Sequence, residues 1–224
     1  MSLITEKYEY STLERIDDNG KRLYKCPDGS HVPSVTRVLS ETKDTRGLDA
    51  WKKRVGEKKA EEIRNEAALR GTYMHKCIEC HILEEEYVKF DPTFSQAKTM
   101  ADVVIAKGLT DVDEMWGTEV RLYYPGKYAG TTDLVGMYKG NPCIIDFKQT
   151  NKPKRKQWIT DYYLQLCAYA HAHNKIYNTD IKNGVVLMCS KDYQFQAFEL
   201  HTDHFYHYSD QWFERLQMFQ EKHK

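Results

Sequence analysis

Along this chain the spacing of apolar residues switches between two periods, and the switches divide it into elements. Leu13–Ile16 and Lys21–Lys25 flank Asp17-Asp-Asn-Gly20. An Asn-Gly pair supplies the positive-φ residues of a tight turn, so the segment predicts a small hairpin covering one edge of the domain. From Leu48 to about Glu86 the pattern is helical, rich in Ala, Glu, Lys and Leu. Breaks are expected near Gly56 and Gly71, because glycine weakens a helix. A second helical stretch runs from about Phe94 to Lys107. The period then falls to two. Thr118–Tyr124, Gly130–Tyr138 and Pro142–Lys148 are rich in Val, Ile, Tyr and Thr and are bounded by Pro-Gly and Lys-Gly-Asn turns, which predicts an antiparallel three-strand meander. Trp158 to about Tyr177 returns to helix, Gly184–Cys189 and Gln194–Leu200 give two more strands, and Thr202–His223 has helical spacing with Thr202 as candidate N-cap. Helices before, within and after the strands predict an α/β (α+β) domain with a central mixed sheet flanked by helices.

Length and composition narrow the organisation. A chain of 224 residues with 41% hydrophobic residues buries one ordinary core. Residues 1–224 are therefore read as a single domain, with 1–33 as an N-terminal hairpin extension. Lys plus Arg equals Asp plus Glu at 33 each, so any surface for a polyanion must be local. No apolar run reaches the roughly 18 residues of a membrane span. The first residues lack the apolar core of a secretory signal and the Arg-rich character of a transit peptide, which sets a cytoplasmic expectation. The 6 cysteines are scattered through predicted elements and read as reduced thiols.

The chemistry concentrates on the meander. If Lys139-Gly140 forms a two-residue hairpin loop, Asp133 lies opposite Asp146 on the same face, with Cβ atoms roughly 4.5–5.5 Å apart. Two carboxylates so placed repel unless a cation neutralises them, and oxygen donors of this kind suit Mg²⁺ or Mn²⁺. The strand period puts Lys148 on that face as well. The competing reading is a cross-strand ion pair between Asp133 and Lys148 on a wet face. Against it, the neighbours Leu134, Val135, Cys143, Ile144, Ile145 and Phe147 are apolar, and buried unpaired carboxylates are costly.

Just beyond, Lys152-Pro-Lys154-Arg155-Lys156 places 4 cations in five residues, with Trp158 and Tyr162 following. That is either a solvated loop or a track of phosphate-binding charge and base-stacking rings for a single strand. The helical region from Trp51 to Arg70 is a weaker candidate for a channel wall, its cations offset by Glu57, Glu61, Glu62 and Glu66. Cys77 and Cys80 lack the second knuckle of a structural zinc site, so no zinc is expected.

Asp133, then Asp146-Phe-Lys148 on the next strand, preceded by Gly71-Thr-Tyr-Met-His75 and followed by Gln165-Leu-Cys-Ala-Tyr169, resembles the PD-(D/E)XK nuclease superfamily. The first and last of these elements are similar to its RecB-like exonuclease branch. Pro33-Ser-Val-Thr-Arg-Val-Leu39, Glu119 one strand earlier and Thr150-Asn-Lys-Pro-Lys154 resemble the mitochondrial genome maintenance exonuclease group within it. The resemblance runs from about residue 30 to the C-terminus. It implies a restriction-endonuclease-like core and a Mg²⁺- or Mn²⁺-dependent exonuclease that hydrolyses DNA phosphodiesters at single-stranded ends or flaps.

By that resemblance Asp133, Asp146, the Phe147 carbonyl and His75 hold the metal. Lys148 orients or deprotonates the attacking water, and Gln165 and Tyr169 hold Lys148 or a substrate phosphate. Glu119 adds a carboxylate to a second metal or binds through water, with a surface salt bridge as the alternative. Lys152, Lys154, Arg155, Lys156 and Trp158 line the path of the DNA. No cysteine follows Cys189, so no iron-sulfur cluster is expected. The chain departs from the family at Gln149, where a threonine is usual. The lack of a transit peptide implies a bacterial or phage member, acting as a monomer in the bacterial or infected-host cytoplasm. A non-catalytic nucleic-acid-binding module of the same fold, or a structure-specific or restriction-type endonuclease, are the alternatives.

Overall fold

Turns and helix caps fix most element boundaries. The computed structural model describes residues 4, 5, 7–18 and 21–224; the Asn19-Gly20 pair of the expected hairpin turn lies outside the described residues. Strands β1 (Glu14–Asp18) and β2 (Lys21–Lys25) pair antiparallel. A strand absent from the sequence reading, β3 (His31–Pro33), adds to β2 and makes a three-stranded sheet.

A short helix, α1 (Val35–Glu41), follows at once. Ser34 caps it, its Oγ accepting from the Arg37 amide at 3.1 Å, and Val35, Val38 and Leu39 enter the main core. Gly56, at φ 86°, separates α2 (Arg46–Val55) from α3 (Glu57–Leu83), as its spacing predicted. The break expected near Gly71 does not occur, and α3 runs through it for 27 residues. A Cβ at Gly71 would stand 3.4 Å from Gln149 Cγ; here glycine allows close approach to the sheet rather than interrupting the helix. Asp91 caps α4 (Pro92–Gly108), accepting from the Phe94 amide at 2.8 Å.

The central sheet has the order β4-β5-β6-β7-β8. β4 (Val112–Tyr124), β5 (Tyr128–Tyr138) and β6 (Asn141–Thr150) form the predicted antiparallel meander. Helix α5 (Thr160–Tyr177) then crosses over to β7 (Asn183–Ser190), which pairs parallel with β6. Antiparallel β8 (Phe195–Leu200) completes the sheet. The last helix, α6, spans Thr202–Lys222. Its N-cap is His201, which still has extended φ and ψ, so Thr202 is the first helical residue rather than the cap. Its hydroxyl instead lies 3.4 Å from Asn183 Oδ1.

The sheet is covered on both faces. Val135, Ile144, Val186 and Met188 pack with α1, α5 and α6, while Leu134, Ile145, Phe147 and Leu187 pack with α3 and α4. This alternation in two neighbouring strands puts Asp133, Asp146 and Lys148 in phase with the face beneath α5. Among the described residues no helix is long and apolar enough to cross a membrane.

Candidate active site

The site lies where the sheet forks. Lys139 and Gly140 both have positive φ (49° and 76°) and form the two-residue loop between paired Tyr138 and Asn141. The resulting register runs to Leu134–Ile145 and there the β5–β6 ladder ends, one step before Asp133 and Asp146. Beyond the fork β6 stays with β7 and β5 stays with β4. The Asp133 side chain takes over the lost ladder contact, its Oδ2 accepting from the Phe147 amide at 2.6 Å. On the other side, the pairs Thr118–Leu134 and Val120–Thr132 put Glu119 opposite Asp133. Three carboxylates therefore line up across three strands. Glu119 has φ 50°, a left-handed conformation that costs a non-glycine residue about 1 kcal/mol or more.

Two helices complete the constellation. From α3, His75 Nδ1 lies 3.3 Å from Asp133 Oδ1. The donor atoms of His75, Glu119 and Asp133 lie within 4.8 Å of one another. From α5, Gln165 Nε2 donates to Asp146 Oδ1 at 3.1 Å. Lys148 Nζ donates to the same oxygen at 2.7 Å and stands 5.4 Å from the centre of the Tyr162 ring. It also lies 2.5 Å from Asp146 Oδ2, but off the hydrogen-bonding angle, so that buried oxygen has no hydrogen-bond donor. Gln165 thus holds Asp146, not Lys148. Tyr169 is buried one helical turn further on, beside Gln165 and against Gly130, where a Cβ would meet its hydroxyl at 2.8 Å.

The charges are strained toward a cation. Burial and then the Asp133 charge push the Asp146 carboxyl up, with Lys148 offsetting only part of this. Burial also acts to raise Asp133, but His75, Lys148 and the Phe147 amide outweigh it and hold that carboxyl down. Withdrawal from water and the Asp133 charge push Glu119 up to about 7, although solvent still reaches its side chain. Burial works against the Lys148 ammonium, yet Asp146 and Asp133 more than compensate and keep it charged. An unsatisfied carboxylate oxygen and two acids with raised pKa, beside a His-Glu-Asp donor set, fit a hard divalent cation.

A cleft of about 690 Å³ opens over the fork, lined by Gly71, His75, Glu119, Asp133, Lys148 and Tyr162 among others. Beyond β6, Lys152, Arg155 and Lys156 are exposed and Lys154 is half-buried. Gln196 of β8 holds this segment by accepting from the Lys154 amide (2.8 Å) and donating to its carbonyl (2.9 Å). The Arg155 guanidinium lies 5.3 Å from the Trp158 ring centre, and Trp158 is 58% exposed. Sequence reasoning missed Arg70, a fully buried guanidinium, and the use made of Gln149. The donor Arg70 Nε lies 3.0 Å from Gln149 Oε1, across 79 residues of sequence. Only the glutamine after Lys148, a departure from expectation, hinted at the pair.

No family model matches the chain. The mouse (Mus musculus) protein named mitochondrial genome maintenance exonuclease 1 is 30% identical over 172 residues, which is 72% of this chain and 50% of the mouse protein. The Xenopus tropicalis protein of the same name is 27% identical over 229 residues, 94% of this chain and 65% of its own length. This chain is a relative of that exonuclease group. It spans half to about two thirds of the length of these relatives. The crystal structure of a candidate exonuclease from Eubacterium rectale shares the fold, with a TM-score of 0.52 at 11% identity over 70% of this chain and 68% of that one.

Proposed function

We propose that the chain is a divalent-metal-dependent deoxyribonuclease that removes nucleotides from single-stranded DNA ends. The observation that supports this best is the fork: three carboxylates from three adjacent strands, with His75 of α3 against Asp133 and Lys148 against Asp146. The kinship with exonucleases supports a DNA phosphodiester as the hydrolysed bond.

In this reading Asp133, His75 and Glu119 hold the cation, joined by the Asp146 carboxylate and by the Phe147 carbonyl. Mg²⁺ or Mn²⁺ there supplies an acidic bound water and charge to oppose the developing oxyanion. Lys148 steadies the attacking water and the phosphate charge from a position fixed by Asp146. Its ammonium is reinforced by two acids, which suits orientation and charge neutralisation. Gln165 keeps Asp146 turned toward Lys148, and Tyr169 backs Gln165. Lys152, Lys154, Arg155 and Lys156 track phosphates, while Trp158 offers a face on which a base stacks.

The test is a time course on end-labelled linear and on circular single-stranded DNA, with Mg²⁺, Mn²⁺ or EDTA. Metal-dependent loss of the linear substrate alone is the expected result. Cleavage of the circle would convert the reading to an endonuclease, and binding of both without cleavage in either metal would leave a nucleic-acid-binding module.

A further inference from the structure

Among the described residues Arg70 is the largest buried charged side chain, and the proposed reaction does not use it. Its five N–H donors form a planar fork that meets partners from three other parts of the fold. Nε faces Gln149 Oε1 on β6 at 3.0 Å. Nη1 faces Gln96 Oε1 on α4 at 3.4 Å and Glu66 Oε1 on its own helix at 2.9 Å. Nη2 donates to Asn151 Oδ1, just past β6. Gln149 closes the circuit by donating from Nε2 to the Ala67 carbonyl of α3 at 2.9 Å. Glu66, which balances the charge, is itself held by Lys191 at 2.9 Å.

The location gives this network its meaning. His75 lies five residues beyond Arg70 on α3, and Lys148 precedes Gln149 on β6. These two elements supply opposite walls of the cleft, and Gly71 lets them approach within a side chain of each other. We propose that Arg70 and Gln149 form a positioning clamp that sets helix α3 against strand β6, and so fixes the distance between the His75 side of the metal site and Lys148. Gln149 supplies both the acceptor and the donor that the clamp requires. Neither residue is a catalytic residue. Losing a partner hydrogen-bonded directly to a metal ligand typically costs roughly 10- to 100-fold in metal affinity, and a clamp acting through the backbone is expected at the low end of that range.

The inference rests on the metal-dependent reading, so the decisive readout is metal binding. Mn²⁺ affinity of the full chain is measured by electron paramagnetic resonance, with unfolding followed by circular dichroism in EDTA. Gln149→Leu removes both amide contacts and leaves Arg70 its other partners, and is expected to weaken Mn²⁺ binding roughly tenfold while the protein stays folded. Gln149→Glu keeps the acceptor for Arg70 but gives up the donor to the Ala67 carbonyl, and is expected to recover only part of that affinity. Arg70→Lys keeps the charge but not the fork, and should resemble Gln149→Leu.

Unchanged Mn²⁺ affinity in folded Gln149→Leu would overturn the clamp, as would wild-type affinity in folded Arg70→Lys. If wild-type protein binds Mn²⁺ and the variants order as expected but no DNA is cut, the nuclease reading fails and the clamp stands. If wild-type protein cuts DNA with metal and the variants bind Mn²⁺ as well as it does, the clamp fails alone.

Discussion

Two histidines on two helices show what separates the candidate site from a packed interior in this molecule. His75 on α3 is partly exposed in the cleft, and although burial pulls its pKa down, the Asp133 carboxylate more than reverses this. His173 on α5 is fully buried, and burial lowers it to about 4. It sits among Tyr8, Tyr10, Trp116 and Tyr177, with ring centres 4.8–6.2 Å away. Its hydrogen bonds fix one neutral tautomer. The Thr179 hydroxyl donates to Asn174 Oδ1, so it accepts from His173 Nδ1 (2.8 Å), which leaves Nε2 to accept from the Tyr10 hydroxyl (3.2 Å). One ring is surrounded by carboxylates and open to solvent; the other has every polar atom satisfied by neutral partners. The first arrangement offers donors that suit a cation, while the second offers none.

The sharpest break of this comparison comes at the cleft. Lys148→Ala is expected to slow DNA hydrolysis by roughly two to three orders of magnitude, the usual cost of deleting a charge-stabilising donor, measured under single-turnover conditions. The same variant strips buried Asp146 of its counter-ion and should lose roughly 3 kcal/mol of stability in EDTA. Saturating Mn²⁺ should restore part of that loss. A Lys148→Ala protein that still cuts within a factor of a few of wild type ends the proposed role.

Exchanging the two histidines' fates is the next test. His75→Ala should weaken Mn²⁺ binding and activity with little change in thermal unfolding. His173→Ala should do the reverse, losing roughly 2–4 kcal/mol through a buried cavity and two orphaned hydroxyl partners. Metal titration of its folded fraction should match wild type. Parallel losses in both variants would erase the distinction.

Acid separates them more gently. With its folded pKa at about 4 and an ordinary value of 6.5 when unfolded, His173 adds no pH dependence above 6.5. As pH falls through that window the unfolded chain binds a proton that the folded ring refuses. Stability drops by up to about 3 kcal/mol at 1.36 kcal/mol per unit and levels off below the folded pKa. His171, also lowered by burial, adds in the same direction. Chemical denaturation of wild type against His173→Gln across pH 7 to 4 isolates this share. A shared slope in both proteins would mean that other groups carry it.

Much of the cleft was legible because local chemistry fixes it. The Lys139-Gly140 loop sets the register, and the register alone brings Asp133 and Asp146 to the same level. The helix break at Gly56 is equally local. What escaped depends on distant partners. Gly71 reads as a breaker until β6 is packed beside it, and Arg70 reads as one more cation of a charged helix until Gln149 and Asn151 arrive from 79 and 81 residues away. Helix α1 is a single capped segment too short to show a period. The facing of Glu119 and Asp133 needs the β4–β5 register, which the longer Pro125-Gly126 turn region leaves open in sequence.

The smallest expected effect belongs to the exposed cations after β6, where the contrast between working surface and packed interior is weakest. Lys152, Arg155 and Lys156 are exposed, and only Arg155 has a ring contact, with Trp158. If each neutralises one phosphate, the triple alanine variant should reduce the slope of log affinity against log salt by about 0.7 per contact on single strands, about 2 in all. Trp158→Ala should instead cost roughly 1–3 kcal/mol of binding with the slope unchanged, because stacking releases no counterions. Measuring both variants by fluorescence anisotropy from low to moderate salt separates charge from stacking. A triple variant with the wild-type slope would return this segment to an ordinary solvated loop and send the search for the DNA path to the cations of α2 and α3.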